Sequence, residues 1–193
     1  MRRGFKAEAE RLAASVRREM GKRPSDHVDA VEFARHAGAD VRCADEVTSL
    51  SKLQHLDELQ PGAFSACTFS IGDRHIVVYN PLASPGRSQS DIAHEAAHLL
   101  LKHAVKSVET IGGVSFFTCD ADEEQEANWL AGCLLLPRAL LFQAVKRGLD
   151  SAAIAAECNV SEAMATFRLR TTGVERQLAA SRSGANTRRG SRQ

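Results

Sequence analysis

The chain has 193 residues, of which 44% are hydrophobic, so it can bury the core of one domain with at most a small appendage. Lysine and arginine nearly balance aspartate and glutamate, and the formal net charge of +1 gives no overall electrostatic attraction to nucleic acid or membranes. No apolar run approaches the length that spans a bilayer, and the arginine-rich N-terminus lacks the apolar segment of a secretory signal.

The cysteines indicate a reducing compartment. Their number is odd, they are widely spaced, and no two form a C-x-x-C pair, which argues against a disulfide framework. We therefore expect a cytoplasmic protein. The cysteines are Cys43, Cys67, Cys119, Cys133 and Cys158.

The first segment, 1–24, is predicted to be a basic helix. Apolar residues recur at helical spacing from Phe5 to Val16, and the opposite face is charged. We interpret it as a packing helix with a solvated basic side rather than as an arm that binds nucleic acid, because charge runs usually face water.

A second helix, a short strand and a weaker element follow. Ser25 or Asp26 can cap the helix, and Gly38 ends it. The segment 39–44 then has the pattern of a short strand. Leucines three apart in 50–59 give only a partial helical stripe, so that segment is either a short helix or a loop.

A β-hairpin is the clearest sheet signal in the chain. Alternating apolar and β-branched residues fill 63–71 and 75–79, and a Gly-Asp pair lies between them. The central helix begins shortly after this hairpin. The edge of the hairpin could bind an extended peptide by strand addition, or it could be an ordinary covered edge.

The segment 88–103 contains the strongest chemical motif, H-E-x-x-H. On a helix, His94 and His98 lie on one face about one turn apart, so both imidazoles can reach one metal ion. Glu95 follows the first of them and can take a proton from a water bound to that metal. Zinc catalysis needs this set of groups, so we predict Zn²⁺ here with Glu95 as the catalytic carboxylate.

The start of this helix is also predicted from local signals. Ser88 followed by Asp91 resembles a capping box, and the carboxylate suits the first turn of a helix. Pro85 and Gly86 are expected to form the preceding turn.

A third protein ligand is sought in an acidic helix start, since catalytic zinc usually has three protein ligands. Five of the seven residues from Asp120 to Glu126 are acidic. Glu126 lies one turn before Leu130 and two turns before Cys133, on the stripe expected to face the core. A carboxylate on such a stripe needs a partner, which a metal supplies, so Glu126 is the predicted third ligand.

The other ionisable residues near the motif are expected to have roles other than that of the third ligand, or to serve as its alternative. Glu123 is the alternative ligand because it lies one turn before Glu126 on a similar face. Asp122 and Glu124 are assigned to the helix start and to solvent. His103, five residues after His98, lies off the ligand face and is expected at the helix end.

The C-terminal part is predicted to be helical and then disordered. A helix at 138–147 precedes two short helices within 151–169, joined at Asn159, with Ser161 as the cap of the second. The polar, basic residues 176–193 are expected to be disordered.

The motifs taken together resemble the ImmA/IrrE-type metallopeptidases. They are H-E-A-A-H at 94–98, E-A-N-W-L-A at 126–131 and L-L-L-P at 134–137, in the order and spacing of that family. A looser similarity extends over most of 26–173. The R-S-Q-S sequence at 87–90 departs from the aromatic residue that many members have there, so the rim of the substrate cleft is not carried over.

The resemblance implies a small zincin-like α+β domain, mostly helical, with a short antiparallel hairpin sheet and a C-terminal helical pair. It implies that His94, His98 and Glu126 bind zinc and that Glu95 is catalytic. It further implies a cytoplasmic endopeptidase that cleaves a repressor or antitoxin-like regulatory protein. The expected divisions are the basic helix at 1–24, the peptidase domain at 25–148, the helical pair at 149–175 and the tail at 176–193.

Two questions stay open from the sequence. The residue that stabilises the oxyanion could be His75, Tyr79 or His103. The alternative function is a non-proteolytic, zinc-containing regulator that binds a repressor or DNA through the C-terminal pair, whose turn resembles a helix-turn-helix with Arg168 and Arg170 at its far end. Direct nucleic-acid binding is disfavoured because the second helix begins with acidic and small residues.

Overall fold

The computed structural model of the chain describes residues 1–71, 74–103, 108–111, 114–117 and 120–181. For 108–111 and 114–117 the description covers the backbone alone.

The N-terminal part forms two helices. Helix α1 (Phe5–Glu19) buries its apolar stripe, as its periodicity predicts. Helix α2 (Ala30–His36) is capped by Asp29, whose carboxylate accepts from the Val31 N–H at 2.8 Å. The predicted cap at Ser25 or Asp26 is therefore wrong, because the Asp26 carboxylate instead accepts from Arg23 in the preceding turn.

A small sheet covers one side of the helices. Strand β1 (Ala39–Cys43) is followed by a 3-10 turn (Ala44–Glu46) and by helix α3 (Leu50–Leu59), which settles the ambiguous segment as helix. Strands β2 (Ala66–Ile71) and β3 (Arg74–Tyr79) form the predicted antiparallel hairpin.

The strand order is β1-β3-β2, and β1 joins β3 in parallel. The sheet is therefore mixed, because the short strand predicted at 39–44 joins the antiparallel hairpin in parallel. Strands β4 (Val108–Ile111) and β5 (Val114–Phe117) form a separate antiparallel pair.

Helix α4 (Pro85–Leu101) carries the H-E-x-x-H motif and packs against the hairpin. It begins one turn earlier than predicted, with Ser84 as its N-terminal cap residue and Pro85 at the first helical position, where a missing N–H costs nothing. The proposed capping box at Ser88 is therefore wrong. Asp91 instead accepts from Arg87, one turn before it, at 2.9 Å.

Helix α5 (Ala121–Leu135) begins at Asp120, whose carboxylate accepts from the Asp122 N–H, and helix α6 (Arg138–Lys146) follows. Among the described residues no single helix is long and apolar enough to cross a membrane. Only α5 and α6 taken together reach such a length and composition, across a 55° bend.

The C-terminal pair has the predicted local structure. Helix α7 (Ser151–Cys158) ends at Asn159 in the left-handed conformation (φ 48°), and helix α8 (Glu162–Thr172) is capped by the Ser161 hydroxyl. The chain is also helical at 174–181, so the expectation of disorder is wrong for 176–181, where Leu178 is buried against the domain. The rest of the tail lies outside the described residues.

One continuous hydrophobic core joins α1, α2, α4, α5, α6, α7 and α8 with the buried face of the sheet. Two fully buried arginines close it at the end of α5: Arg17 donates to the Leu134 carbonyl at 2.6 Å, and Arg168 donates to the Leu136 carbonyl at 3.1 Å. These contacts suit a helix C-terminus, where cations are favoured. The result is the predicted α+β architecture, with α4 and α5 side by side at its centre.

Candidate metal centre

Three potential ligand atoms converge between α4 and α5. His94 Nε2 lies 3.0 Å from His98 Nε2 and 3.2 Å from one Glu124 carboxylate oxygen. His98 Nε2 lies 3.5 Å from the other oxygen of Glu124. A tetrahedral zinc site with bonds of about 2.0–2.1 Å separates its ligand atoms by about 3.3 Å, so these spacings fit a metal ion of that size. The group could thus hold a metal.

The opposite ring nitrogens of both histidines are also engaged. His94 Nδ1 lies 3.1 Å from Asn128 Oδ1, and His98 Nδ1 lies 3.0 Å from His103 Nδ1. When His94 donates its Nδ1 proton to the amide oxygen, its Nε2 carries the lone pair that a metal needs. Such partners fix the tautomer and the ring orientation of metal-binding histidines.

Glu124 is the carboxylate in this group, although its place in the acidic first turn of the helix predicted a solvent-facing side chain. Its side chain is 28% exposed and points at the two imidazoles. A signal was present in the sequence, because Asn128 lies one turn later on the same face. Two polar residues four apart on a largely apolar helix mark a second, polar stripe, which the apolar periodicity used to choose Glu126 does not describe.

Glu126, the predicted third ligand, is buried as its stripe required, but its carboxylate has other partners. Arg2 donates to it from its backbone N–H at 2.8 Å and from its side chain at 3.1 Å. His103 Nε2 lies 3.8 Å away. Burial acts to raise the pKa of Glu126, but the bonds and charge of Arg2 outweigh it and hold the pKa below its ordinary value.

The structure therefore does not bring Glu126 into the group formed by the two histidines, and Glu123 is likewise outside it. Ligation by Glu126 stays a prediction. In the present geometry Glu126 adjoins His103, which in turn contacts the far nitrogen of His98.

Glu95 is 5% exposed, and its side chain extends from α4 to the hairpin. The Thr68 hydroxyl of β2 donates to one of its carboxylate oxygens at 2.6 Å. Such a short bond to a charged acceptor fixes the carboxylate and engages one of its two oxygens. The sequence offered no signal for Thr68, because the bond joins two elements 27 positions apart.

The three candidates for oxyanion stabilisation lie elsewhere. His75 Nδ1 bonds with the Ser70 hydroxyl in the hairpin, at 2.8 Å. The Tyr79 hydroxyl has the Cys43 thiol as a neighbour, and burial raises its pKa. His103 lies behind His98, and none of the three lines the cavity that opens beside His94.

With this geometry established, comparison with known proteins identifies the family. A sequence model of the M78 peptidases, described as the IrrE N-terminal-like domain, matches residues 37–170, which is more than half of the chain. The chain belongs to the ImmA/IrrE family. As an ImmA/IrrE-type metallopeptidase domain, it belongs to a class of hydrolases that act on protein substrates with a metal ion. No curated protein matches the chain significantly.

The match confirms the resemblance that the three motifs indicated. It includes the H-E-x-x-H helix, all of α5, and α7 with most of α8. The C-terminal pair therefore lies within the matched ImmA/IrrE domain. The buried side chain of Arg168 on α8, which also donates to Glu10 at 2.8 Å, is not available to contact DNA.

Proposed function

We propose that this protein is a zinc-dependent endopeptidase that cleaves a regulatory protein. The convergence of His94 Nε2, His98 Nε2 and the Glu124 carboxylate within 3.0–3.5 Å, with Glu95 next to the first histidine, carries the proposal. Two neutral imidazoles and one carboxylate form a ligand set that leaves zinc a fourth position for water.

Bound zinc would supply a water of lowered pKa and would polarise the scissile carbonyl. Glu95 accepts the proton of the attacking water on its carboxylate and later delivers it to the departing amine. Thr68 holds one Glu95 oxygen in place and leaves the other for this exchange. Asn128 and His103 keep the histidine rings oriented through their Nδ1 atoms.

An extended substrate would bind along β2. This strand pairs with β3 on one side, and within the described part of the chain no strand covers its other side. Phe69 and Ile71 on β2 are exposed, and Thr68 of the same strand reaches the catalytic carboxylate. A peptide added at this edge would therefore run past Glu95.

The substrate we propose is a helix-turn-helix repressor or an antitoxin-like partner in the cytoplasm. The support is the resemblance of the motifs to ImmA/IrrE-type peptidases, which act on such regulators. The alternative, a zinc-containing regulator that sequesters its partner without cleaving it, uses the same metal group but does not need Glu95 as a base.

The Glu95→Gln variant tests the proposal. We expect it to keep its zinc and to lose cleavage of a co-expressed repressor by about 100-fold or more, since general-base catalysis contributes at least that factor. Mass spectrometry of the fragments measures cleavage, and elemental analysis measures zinc. If zinc-bound wild type and Glu95→Gln both relieve repression to the same extent, and neither produces fragments of the repressor, the result would favour sequestration.

A further inference from the structure

A cavity of about 410 Å³ opens beside the candidate metal centre. His94, Glu124 and Asn128 form its metal-side wall, so a group that occupied it would lie next to the reacting atoms. Helix α8 forms the facing wall with Ala163, Met164 and Phe167, and the cavity is open to solvent.

The position of α8 relative to α4 is fixed by close packing. The Ser161 N–H, at the α8 cap, donates to the Ser90 hydroxyl at 3.1 Å, one turn before His94. A Cβ built on Gly86 would lie 2.5 Å from the Val160 carbonyl oxygen, so the start of α4 touches the α7–α8 turn directly. The two walls of the cavity are thus held at a set separation.

The second contact is with α5. A Cβ on Gly132 would lie 2.6 Å from the Arg168 Cδ and 3.2 Å from the Met164 sulfur. Phe167 packs edge-on against Trp129 of α5, with ring centroids 5.3 Å apart. The apolar wall is therefore anchored before any ligand binds.

The chemistry of the lining selects the occupant. The α8 wall is apolar. Of the charged groups opposite it, Glu124 faces the two imidazoles, and Arg87 and Asp91 contact each other, with the Arg87 Nε 2.9 Å from both Asp91 oxygens. A charged side chain entering the cavity would find no unpaired opposite charge in this pair. A large aliphatic or aromatic side chain would instead bury apolar surface against Met164 and Phe167.

We propose that this cavity is the specificity pocket of the peptidase and that it receives a large apolar side chain, of the leucine, methionine or phenylalanine class, from the substrate residue next to the scissile bond. The proposal rests on the proposed function, because it takes the metal group as the reaction centre. It assigns to α8 the role of selecting the substrate.

The test measures binding rather than cleavage. Two peptidyl hydroxamates, identical except for leucine or glycine at the residue next to the metal-binding group, are titrated calorimetrically into the zinc-loaded protein. We expect the leucine compound to bind wild type roughly tenfold tighter or more. Ala163→Phe, which fills the cavity, should reduce the ratio below about threefold, whereas Thr166→Phe, exposed on α8 outside the cavity, should preserve it.

A second variant tests whether the apolar character of the α8 wall is needed. Met164→Gln keeps the length of the side chain but makes it polar, so we expect weaker leucine binding and unchanged glycine binding. Equal affinity of the two compounds for zinc-loaded wild type would refute the assignment of this cavity as the specificity pocket. An equal loss of the preference for leucine in Ala163→Phe and Thr166→Phe would also refute it.

Zinc content and cleavage separate this proposal from the one on which it rests. A protein that binds no zinc would overturn both, and elemental analysis identifies that case. A zinc-bound protein that prefers the leucine compound but leaves a co-expressed repressor uncleaved would contradict the proposed cleavage, while the preference of the cavity for an apolar side chain would stand.

Discussion

The two glutamates two positions apart on α5 can be distinguished by a pair of matched substitutions. Glu124→Gln and Glu126→Gln each remove one negative charge and keep the side-chain shape. The proposed metal group includes Glu124, whose oxygens lie 3.2 and 3.5 Å from the histidine Nε2 atoms, whereas Glu126 contacts Arg2 and His103. The two variants should therefore differ in zinc affinity.

The expected magnitudes follow from the number of contacts between each carboxylate and the metal. Structural zinc sites with four ligands bind with about 10–16 kcal/mol, or roughly 3 kcal/mol per ligand, so loss of Glu124 should weaken binding by about 100-fold or more. Glu126 reaches the metal group only through His103 and His98, and direct partners of ligands contribute about 10–100-fold. Loss of Glu126 should therefore cost about tenfold or less.

Zinc affinity is measured by competition with a chromogenic chelator at fixed pH and salt. Circular dichroism of both variants controls for folding. This control matters for Glu126→Gln, because the Glu126 carboxylate is buried and has Arg2 as its partner. Strong zinc loss in Glu126→Gln with near-normal affinity in Glu124→Gln would refute the assignment and restore Glu126 as the ligand.

Two further predictions concern Glu95 and the core. Thr68→Val should lower kcat by roughly tenfold at unchanged zinc content, because Glu95 loses a charge-assisted bond, whereas Thr68→Ser should retain activity. Equal kcat for Thr68→Val and wild type would contradict the role of Thr68 in orienting Glu95. Burial raises the pKa of Cys133 from 9.0 to about 12, so the unfolded thiol ionises first and stability is lost as pH rises above 9. Between pH 8 and 10, urea denaturation should show wild type losing about 1.4 kcal/mol more than Cys133→Ala, and parallel losses would contradict it.

The sequence correctly predicted those helices and strands whose structure depends mainly on residues within the same element. The H-E-x-x-H helix and the hairpin follow from periodicity and turn residues within a few positions. The start of α4 was misplaced by one turn because Ser88 and Asp91 satisfy a capping pattern that Pro85 also permits. Asp91 bonds to Arg87 rather than to a helix-end N–H, and the start of α4 touches the α7–α8 turn, a contact that local sequence does not encode.

The carboxylate that lies beside the two histidines could not be chosen from periodicity, although its helix could. The apolar stripe of α5 correctly predicted that Glu126 is buried, and burial does require a partner. That partner is Arg2, 124 positions away, and no pattern within α5 encodes it. The side of α5 that faces His94 carries Glu124 and Asn128, a polar pair whose contacts exist only because α4 lies beside it.

The C-terminal pair illustrates how one local structure can serve different partners. Its turn resembles a helix-turn-helix because Asn159 and Ser161 determine the same geometry in either setting. Its use depends on the face that remains accessible. Arg168, which would have to reach phosphate in a DNA-binding helix, is fully buried and donates to the Leu136 carbonyl at the end of α5. Arg170 is exposed, but the α8 residues that face the cavity beside His94 are small or apolar, so this face of the helix favours contact with a peptide side chain over contact with nucleic acid.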